Sequence, residues 1–154
     1  MRRRLEKFLA LPGEEKRLFL EAWVTLGVMR AAILTVSFKR LTRSLDHSLQ
    51  GRETQFPNEE EKKRAAMIGR AIIRAAAHTP WESACLAQAL TARRMLQRRG
   101  IPGVFFLGVS KEGSEREMNA HAWSRCGEIS VTGGEGEGRF VVLSVFEWKG
   151  NGKK

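Results

Sequence analysis

The sequence has few of the residues from which metal sites and disulfide frameworks are built. Its 154 residues include two cysteines, Cys85 and Cys126, and three histidines. Two cysteines do not form the disulfide framework of a small secreted protein, so we expect the reducing environment of the cytoplasm. His47, His78 and His121 are far apart in the sequence, and the two cysteines form no close ligand pair. We therefore predict neither a metal site nor any other cofactor.

The sequence also lacks an uninterrupted apolar run of the length that spans a membrane. Residues 22–38 are apolar, but Glu21 bounds this run and Arg30 interrupts it, whereas a spanning helix needs roughly 20 apolar residues. The N-terminal arginines are separated from the run by further charged residues, and no small-residue cleavage site follows, which is not the pattern of a secretory signal. We expect a buried or interfacial helix and no stable membrane insertion.

Acidic residues are fewer than basic ones, with 17 Asp and Glu against 27 Lys and Arg and a formal charge of +10. Such a charge attracts anionic surfaces or acidic peptides. A basic nucleic-acid-binding module is one alternative, but no recognition motif or series of exposed aromatic residues accompanies the arginines, so we expect no nucleic acid partner. The composition, 42% hydrophobic and 29% charged, is typical of a soluble globular protein, and the length fits one domain over residues 1–154.

Helical periodicity characterises the first half of the chain, and strand-like segments follow a change of architecture near Gly100. Residues 1–50 form an N-terminal helical region with apolar residues at three- and four-residue steps. Asn58 and Glu61 have the spacing of a capping box at the start of a later helix, which ends near His78. The first half of the chain is therefore predicted to contain several helices, each with an apolar face.

Cys85 belongs to a helix that we predict from about Glu82 to Arg99. Either Thr79 caps this helix, with Pro80 at the first helical position, or Ser83 caps it. With Ser83 as the cap, Cys85 lies in the first turn. Unpaired backbone N–H groups and the helix dipole stabilise a thiolate there, and the same N–H groups are able to bind an oxyanion.

Four β-runs follow the last helix, and they predict an α+β fold. Their sequences are VFFLGV, MNAHAWSR, EISVTG and RFVVLSVF. Because side chains alternate along a strand, Asn119, His121 and Trp123 project from one face of the second run.

The second and third β-runs predict a hairpin. If Cys126 and Gly127 form its two-residue turn, His121 pairs with Thr132. Cys126 is then an exposed thiol in the turn.

Together these segments resemble a known family. The stretch WESACLAQALTARRMLQRRGIP, followed by GV, NAHAW and ISVTGG, is similar to the transglutaminase-like leader peptidases of lasso-peptide biosynthesis, which are papain-related cysteine proteases. The resemblance covers residues 58–146, the expected catalytic core, whereas residues 1–50 agree only in length and character. It implies a transglutaminase/papain-like core in which the catalytic cysteine lies on a helix packed against a small antiparallel sheet.

The resemblance also implies the catalytic residues. Cys85 takes the position of the nucleophile and His121 that of its base. The family has an acidic residue on the strand after the histidine, but this sequence reads ISVTGGEGEG there, with Glu135 as the first carboxylate. Our candidate for the group that orients His121 is therefore Glu135, with Thr132 or Asn119 as neutral alternatives.

Three further residues are candidates for supporting roles. Trp81 and Trp123 either wall the cleft or belong to the core. Gln88 lies three residues after Cys85 on the same helical face, where it either supports the backbone around the nucleophile or bonds a neighbouring strand.

The function implied by the resemblance is removal of the leader from a ribosomally made precursor peptide. The implied partners are that precursor, a separate leader-recognition protein and an ATP-using lasso cyclase. The departure at the acidic position leaves a second interpretation open, in which the chain is an inactive transglutaminase-like scaffold.

Overall fold

The chain changes from helices to strands between Arg98 and Gly103, as the sequence predicted. The computed structural model describes residues 2–43, 56–81, 83–110 and 120–150. The helices are α1 (Arg2–Leu9), α2 (Gly13–Thr35), α3 (Phe38–Arg43), α4 (Glu59–Ala76) and α5 (Cys85–Arg98). The strands are β1 (Gly103–Ser110), β2 (Ala120–Cys126), β3 (Ile129–Thr132) and β4 (Phe140–Trp148). They form one antiparallel sheet in the order β3-β2-β1-β4, so the α+β class is confirmed.

The capping box predicted for α4 is present. The Asn58 side chain accepts a hydrogen bond from the Glu61 backbone N–H at 2.8 Å, and the Glu61 carboxylate accepts one from the Asn58 N–H at 2.9 Å. These two bonds satisfy donors that the first turn leaves without helical partners. The helix then presents a buried face, formed by Ala65, Ile68, Gly69, Ala71, Ile72 and Ala75.

Helix α2 is held to the rest of the protein by one apolar face and by ion pairs of Glu15 and Glu21. Leu18, Ala22 and Leu26 are buried in the core. The Arg99 guanidinium donates to the Glu21 carboxylate at 2.6 Å, which lowers the pKa of Glu21 below its usual range. This contact joins α2 to the residue that follows α5.

The outer face of α2 is apolar and exposed, with Leu20, Val24, Val28 and Leu34 each more than half accessible. By length and composition α2 meets the requirements of a membrane span, and only a minor part of it is buried. The interruption at Arg30 therefore does not by itself distinguish a spanning helix from the buried or interfacial helix that we expected. The absence of stable membrane insertion stays a prediction.

The sheet has two different faces. Its inner face packs against the helices through Phe105, Leu107, Ala122, Cys126, Val131 and Phe146. Because side chains alternate, Phe106 and Trp123 point to the outer face, where their rings stack with centroids 5.3 Å apart. His121 and Trp123 share this outer face, as the alternation predicted.

The hairpin register differs from the prediction. Cys126 pairs with Ile129, so the turn is Gly127 and Glu128, and Gly127 has a φ of +57°. Cys126 is 0% exposed as the last residue of β2 and is not the exposed turn thiol that we expected. The register follows from turn chemistry, because glycine accepts the positive φ and Cys126 keeps the inward direction of the core side chains.

Thr132 consequently does not pair with His121. The register shifts between Ser124 and Arg125, and Thr132 pairs with Ser124. The two hydroxyls of this pair are buried and lie 2.8 Å apart.

Gly69 allows α4 to approach β3 closely, and a substitution at this residue tests the packing. A Cβ at Gly69 would overlap the Val131 carbonyl oxygen, so Gly69→Ala is expected to lower the free energy of unfolding by about 1–3 kcal/mol. Gly13→Ala is the control, because a Cβ there meets nothing within 4 Å. Urea unfolding followed by circular dichroism measures both variants, and equal stabilities would contradict the close approach.

Candidate active site

Cys85 is the first residue of α5 and lies in the first turn of this helix. The residue before the helix is Ala84, in an extended conformation, and no side chain caps the helix. Neither Thr79 nor Ser83 is the cap, since Ala84 takes that position, and the two hydroxyls bond each other at 2.8 Å. Both predicted helix starts are therefore wrong by at least one residue, and Glu82 lies outside the described residues.

Within the described residues no side chain bonds the first-turn N–H groups at the position of Cys85. The first bond within the helix is donated by the Gln88 N–H to the Ala84 carbonyl oxygen at 3.1 Å. The preceding N–H groups and the helix dipole favour negative charge, either on a thiolate or on the oxygen of an attacked carbonyl. Cys85 itself is half-buried.

Gln88 closes the segment that leads into the helix. Its side-chain amide donates to the Ser83 carbonyl oxygen at 2.8 Å. This contact joins Gln88 to the backbone just before Cys85, which is the first of its two predicted roles. The role of Gln88 in catalysis stays a prediction.

Trp81 packs against α2. Its ring lies 5.0 Å from that of Trp23, and a Cβ at Gly27 would be 3.1 Å from its six-membered ring. Within the described part of the chain its indole N–H is buried without a hydrogen-bond partner. Trp81 thus anchors the segment before Cys85 to the helical layer, which fits its core interpretation.

His121 is held by a main-chain oxygen and by aromatic rings. Its Nε2 lies 2.7 Å from the Gly133 carbonyl oxygen, and its ring stacks on Phe140 at 4.6 Å and on Trp123 at 5.6 Å. A carbonyl oxygen only accepts hydrogen bonds, so Nε2 carries the hydrogen. In the neutral ring the lone pair that takes a proton is therefore on Nδ1.

Gly108 makes room for these rings. It pairs with His121 on β2 and with Val142 on β4, and a Cβ at this position would lie 3.0 Å from the Trp123 ring. Because the central strand has no side chain here, rings from β2 and β4 meet above it. Trp123 is 3% exposed and belongs to this aromatic layer on the outer face.

The structure brings neither Glu135 nor Thr132 to His121. Glu135 is exposed and, among the described residues, makes no hydrogen bond to the ring. Thr132 faces the helices and bonds Ser124. Asn119 lies outside the described residues. The Gly133 carbonyl occupies the orienting position, and the only sequence signal for it was the pair of glycines directly after a strand.

Position 133 has no space for a side chain. Its φ is +69°, and a Cβ would lie 2.7 Å from the Ala122 carbonyl oxygen and 3.3 Å from His121 Nε2. The positive φ favours glycine, and the close contacts exclude any larger residue without movement.

Topology places Cys85 and His121 at the same end of the sheet. A short connection joins the end of α5 to the start of β1, so the two elements run in opposite directions. The start of α5 therefore lies towards the end of β1, where Gly108 pairs with His121. In the described structure Cys85 Sγ makes no hydrogen bond to the ring, and the His121 side chain is on the face opposite the helices.

Gly133→Ala tests the close contact over His121. We expect a loss of about 1–3 kcal/mol in the free energy of unfolding, because alanine is strained at this positive φ. Gly138→Ala is the matched control in the same segment, since a Cβ there meets nothing within 4 Å. Thermal and urea unfolding measure both variants, and a Gly133→Ala protein as stable as the control would show that the contact is absent.

The two thiols are expected to differ in reactivity. Burial and the Glu61 carboxylate raise the pKa of Cys126 to about 11, so little thiolate is present at pH 8. A chromogenic disulfide reagent should therefore label Cys85 in the native protein and label Cys126 only after unfolding. The Cys85→Ala variant isolates the buried thiol. Equal labelling rates of Cys126 in the native and unfolded variant would contradict its burial.

The comparison with known proteins gives the family. The chain matches the Transglutaminase-like superfamily over residues 32–145. No curated protein and no solved structure was found to match. The matched span contains both Cys85 and His121 and covers more than half of the sequence. From this match we conclude that the chain belongs to the transglutaminase-like superfamily.

Proposed function

We propose that this protein is a cytoplasmic cysteine peptidase that removes the leader from a lasso-peptide precursor. The observation that carries the proposal is the position of Cys85, the first residue of an uncapped helix within the span that matches the superfamily. Membership of the superfamily is compatible with cysteine hydrolase chemistry. The choice of precursor rests on the resemblance of the NAHAW and WESACLAQAL segments.

The mechanism begins with proton transfer from the Cys85 thiol to His121 Nδ1. The thiolate attacks the scissile carbonyl carbon, and the oxygen that gains negative charge is bound by first-turn N–H groups of α5. Protonated His121 gives its proton to the leaving amine, and a thioester to Cys85 remains. Water then attacks the thioester, His121 takes a proton from the water, and the carboxylate product leaves as the thiol is restored.

This mechanism requires Cys85 Sγ to approach His121 Nδ1. The two residues lie at the same end of the sheet without a hydrogen bond between them. The His121 ring is also on the face of the sheet opposite the helices. The proposal therefore includes a rearrangement in the substrate complex that carries the imidazole ring to the helical side of the sheet.

A separate leader-recognition protein and an ATP-using cyclase complete the proposed pathway. The exposed apolar face of α2, with Leu20, Val24 and Val28, supports a protein contact in the helical first half. Exposed apolar patches of this kind mark interaction surfaces. We assign this half to the leader-recognition protein, and cleavage at full rate by this protein alone would contradict that dependence.

One observation favours the alternative, an inactive scaffold. Within the described structure Cys85 and His121 are not hydrogen-bonded, and Glu135 points to solvent. A scaffold of this fold would bind the precursor or the leader-recognition protein without cutting. The same experiment decides between the two functions.

The experiment is mass spectrometry of the precursor after incubation with this protein and the leader-recognition protein. We expect cleavage at one peptide bond and a loss of at least about 10³-fold in Cys85→Ala and in His121→Ala, because each removes a reacting group. Cys126→Ala is the thiol control and should retain cleavage. If wild type leaves the precursor intact while wild type and Cys85→Ala bind it equally, the chain is a scaffold.

A further inference from the structure

We propose that the Arg125–Glu137 ion pair positions His121 by holding the segment of residues 133–140 over the outer face of the sheet. In this arrangement the Gly133 carbonyl orients the imidazole ring in place of a side-chain carboxylate. The catalytic consequence rests on the proposed peptidase function, whereas the orientation of the ring does not.

The path of the chain between β3 and β4 brings residues 133–140 to His121. β3 and β4 lie at opposite edges of the sheet, so the residues between them must cross β2 and β1. Gly133 contacts Trp123 and His121 on the outer face, and Phe140 stacks on His121 at 4.6 Å. The crossing segment therefore touches the His121 ring at both of its ends.

The ion pair of Arg125 and Glu137 lies between the two ends of this crossing segment. Arg125 Nη1 lies 3.0 Å from Glu137 Oε1, with the two side chains 34% and 33% exposed. Arg125 also donates to the Glu128 carbonyl oxygen at 3.3 Å, which fixes it to the β2–β3 hairpin. The pair thus ties the middle of the crossing segment to the strand that carries His121.

The surroundings of the pair make its two members depend on each other. Arg125 Nε and Glu137 Oε2 are buried, and no other polar group in the described residues bonds either atom. Removal of one partner leaves a partly desolvated charge without compensation. We therefore expect the segment to shift when the pair is broken.

The path of the segment over β3 explains why the Gly133 carbonyl, and not the Glu135 side chain, reaches the His121 ring. A Cβ at Gly134 would overlap the Ser130 side chain, so the segment passes directly over β3 at this residue. Gly133 then presents its carbonyl to His121 Nε2 at 2.7 Å, while Glu135 is exposed beyond the contact. A fixed carbonyl keeps the hydrogen on Nε2 and the lone pair on Nδ1.

The test measures the His121 tautomer in the free protein. Nitrogen-15 NMR of histidine-labelled protein distinguishes hydrogen on Nε2 from hydrogen on Nδ1, and the spectrum of His121→Gln assigns the signal. We expect wild type to carry the hydrogen on Nε2 and Glu137→Gln to show a mixture of tautomers. Glu59→Gln, which breaks an ion pair with Lys62 on α4, is the matched control and should give the wild-type signal.

The charge-swapped double variant Arg125→Glu with Glu137→Arg should restore the wild-type signal, which loss of stability alone would not explain. Arg125→Gln, which removes the other charge of the pair, serves if Glu137→Gln does not fold, and we expect the same mixture of tautomers from it. A tautomer signal unchanged by loss of the pair overturns the proposal.

Precursor cleavage supplies the second readout. Loss of the ion pair is expected to displace the His121 ring slightly from its position for proton transfer with Cys85. This should lower kcat of Glu137→Gln about 10- to 100-fold with KM unchanged. A raised KM at unchanged kcat would contradict a positioning role. If wild type does not cleave at all, the proposed function fails, and the tautomer measurement still decides the role of the ion pair.

Discussion

The crossing of the sheet between β3 and β4 is the constraint on which the candidate site depends. Because these strands occupy opposite edges, the intervening chain must lie across β2 and β1. The crossing covers Trp123, brings a carbonyl to His121 and places Phe140 against the same ring. Glycines at positions 108 and 133 are required because backbone and rings approach there without space for a side chain.

The two candidate reacting groups come from different layers and are controlled by different forces. Cys85 depends on the end of a helix, where unpaired N–H groups favour negative charge. His121 depends on a neutral carbonyl and on stacked rings, which fix its orientation. In the described structure the two residues therefore lie in different layers, without a hydrogen bond between them.

Patterns that act between near neighbours in the sequence were predicted well. The capping box of Asn58 and Glu61 is present because its two hydrogen bonds join residues three apart. The hairpin turn was placed one residue early, since a two-residue pattern does not show whether Cys126 or Gly127 begins the turn. Burial of Cys126 decides the register, and burial depends on packing against helices that are distant in the sequence.

The sequence by itself determined the α+β class, the helix that carries Cys85 and the strand that carries His121. Periodicity and turn residues act over short distances, and they contain this information. Only the tertiary structure decided which group orients His121. The group is a main-chain oxygen of Gly133, which every residue possesses, and its selection depends on how the crossing segment lies over β2. A prediction based on side chains names Glu135 and Thr132, whereas the contact with His121 comes from the backbone of Gly133, which lies between them in the sequence.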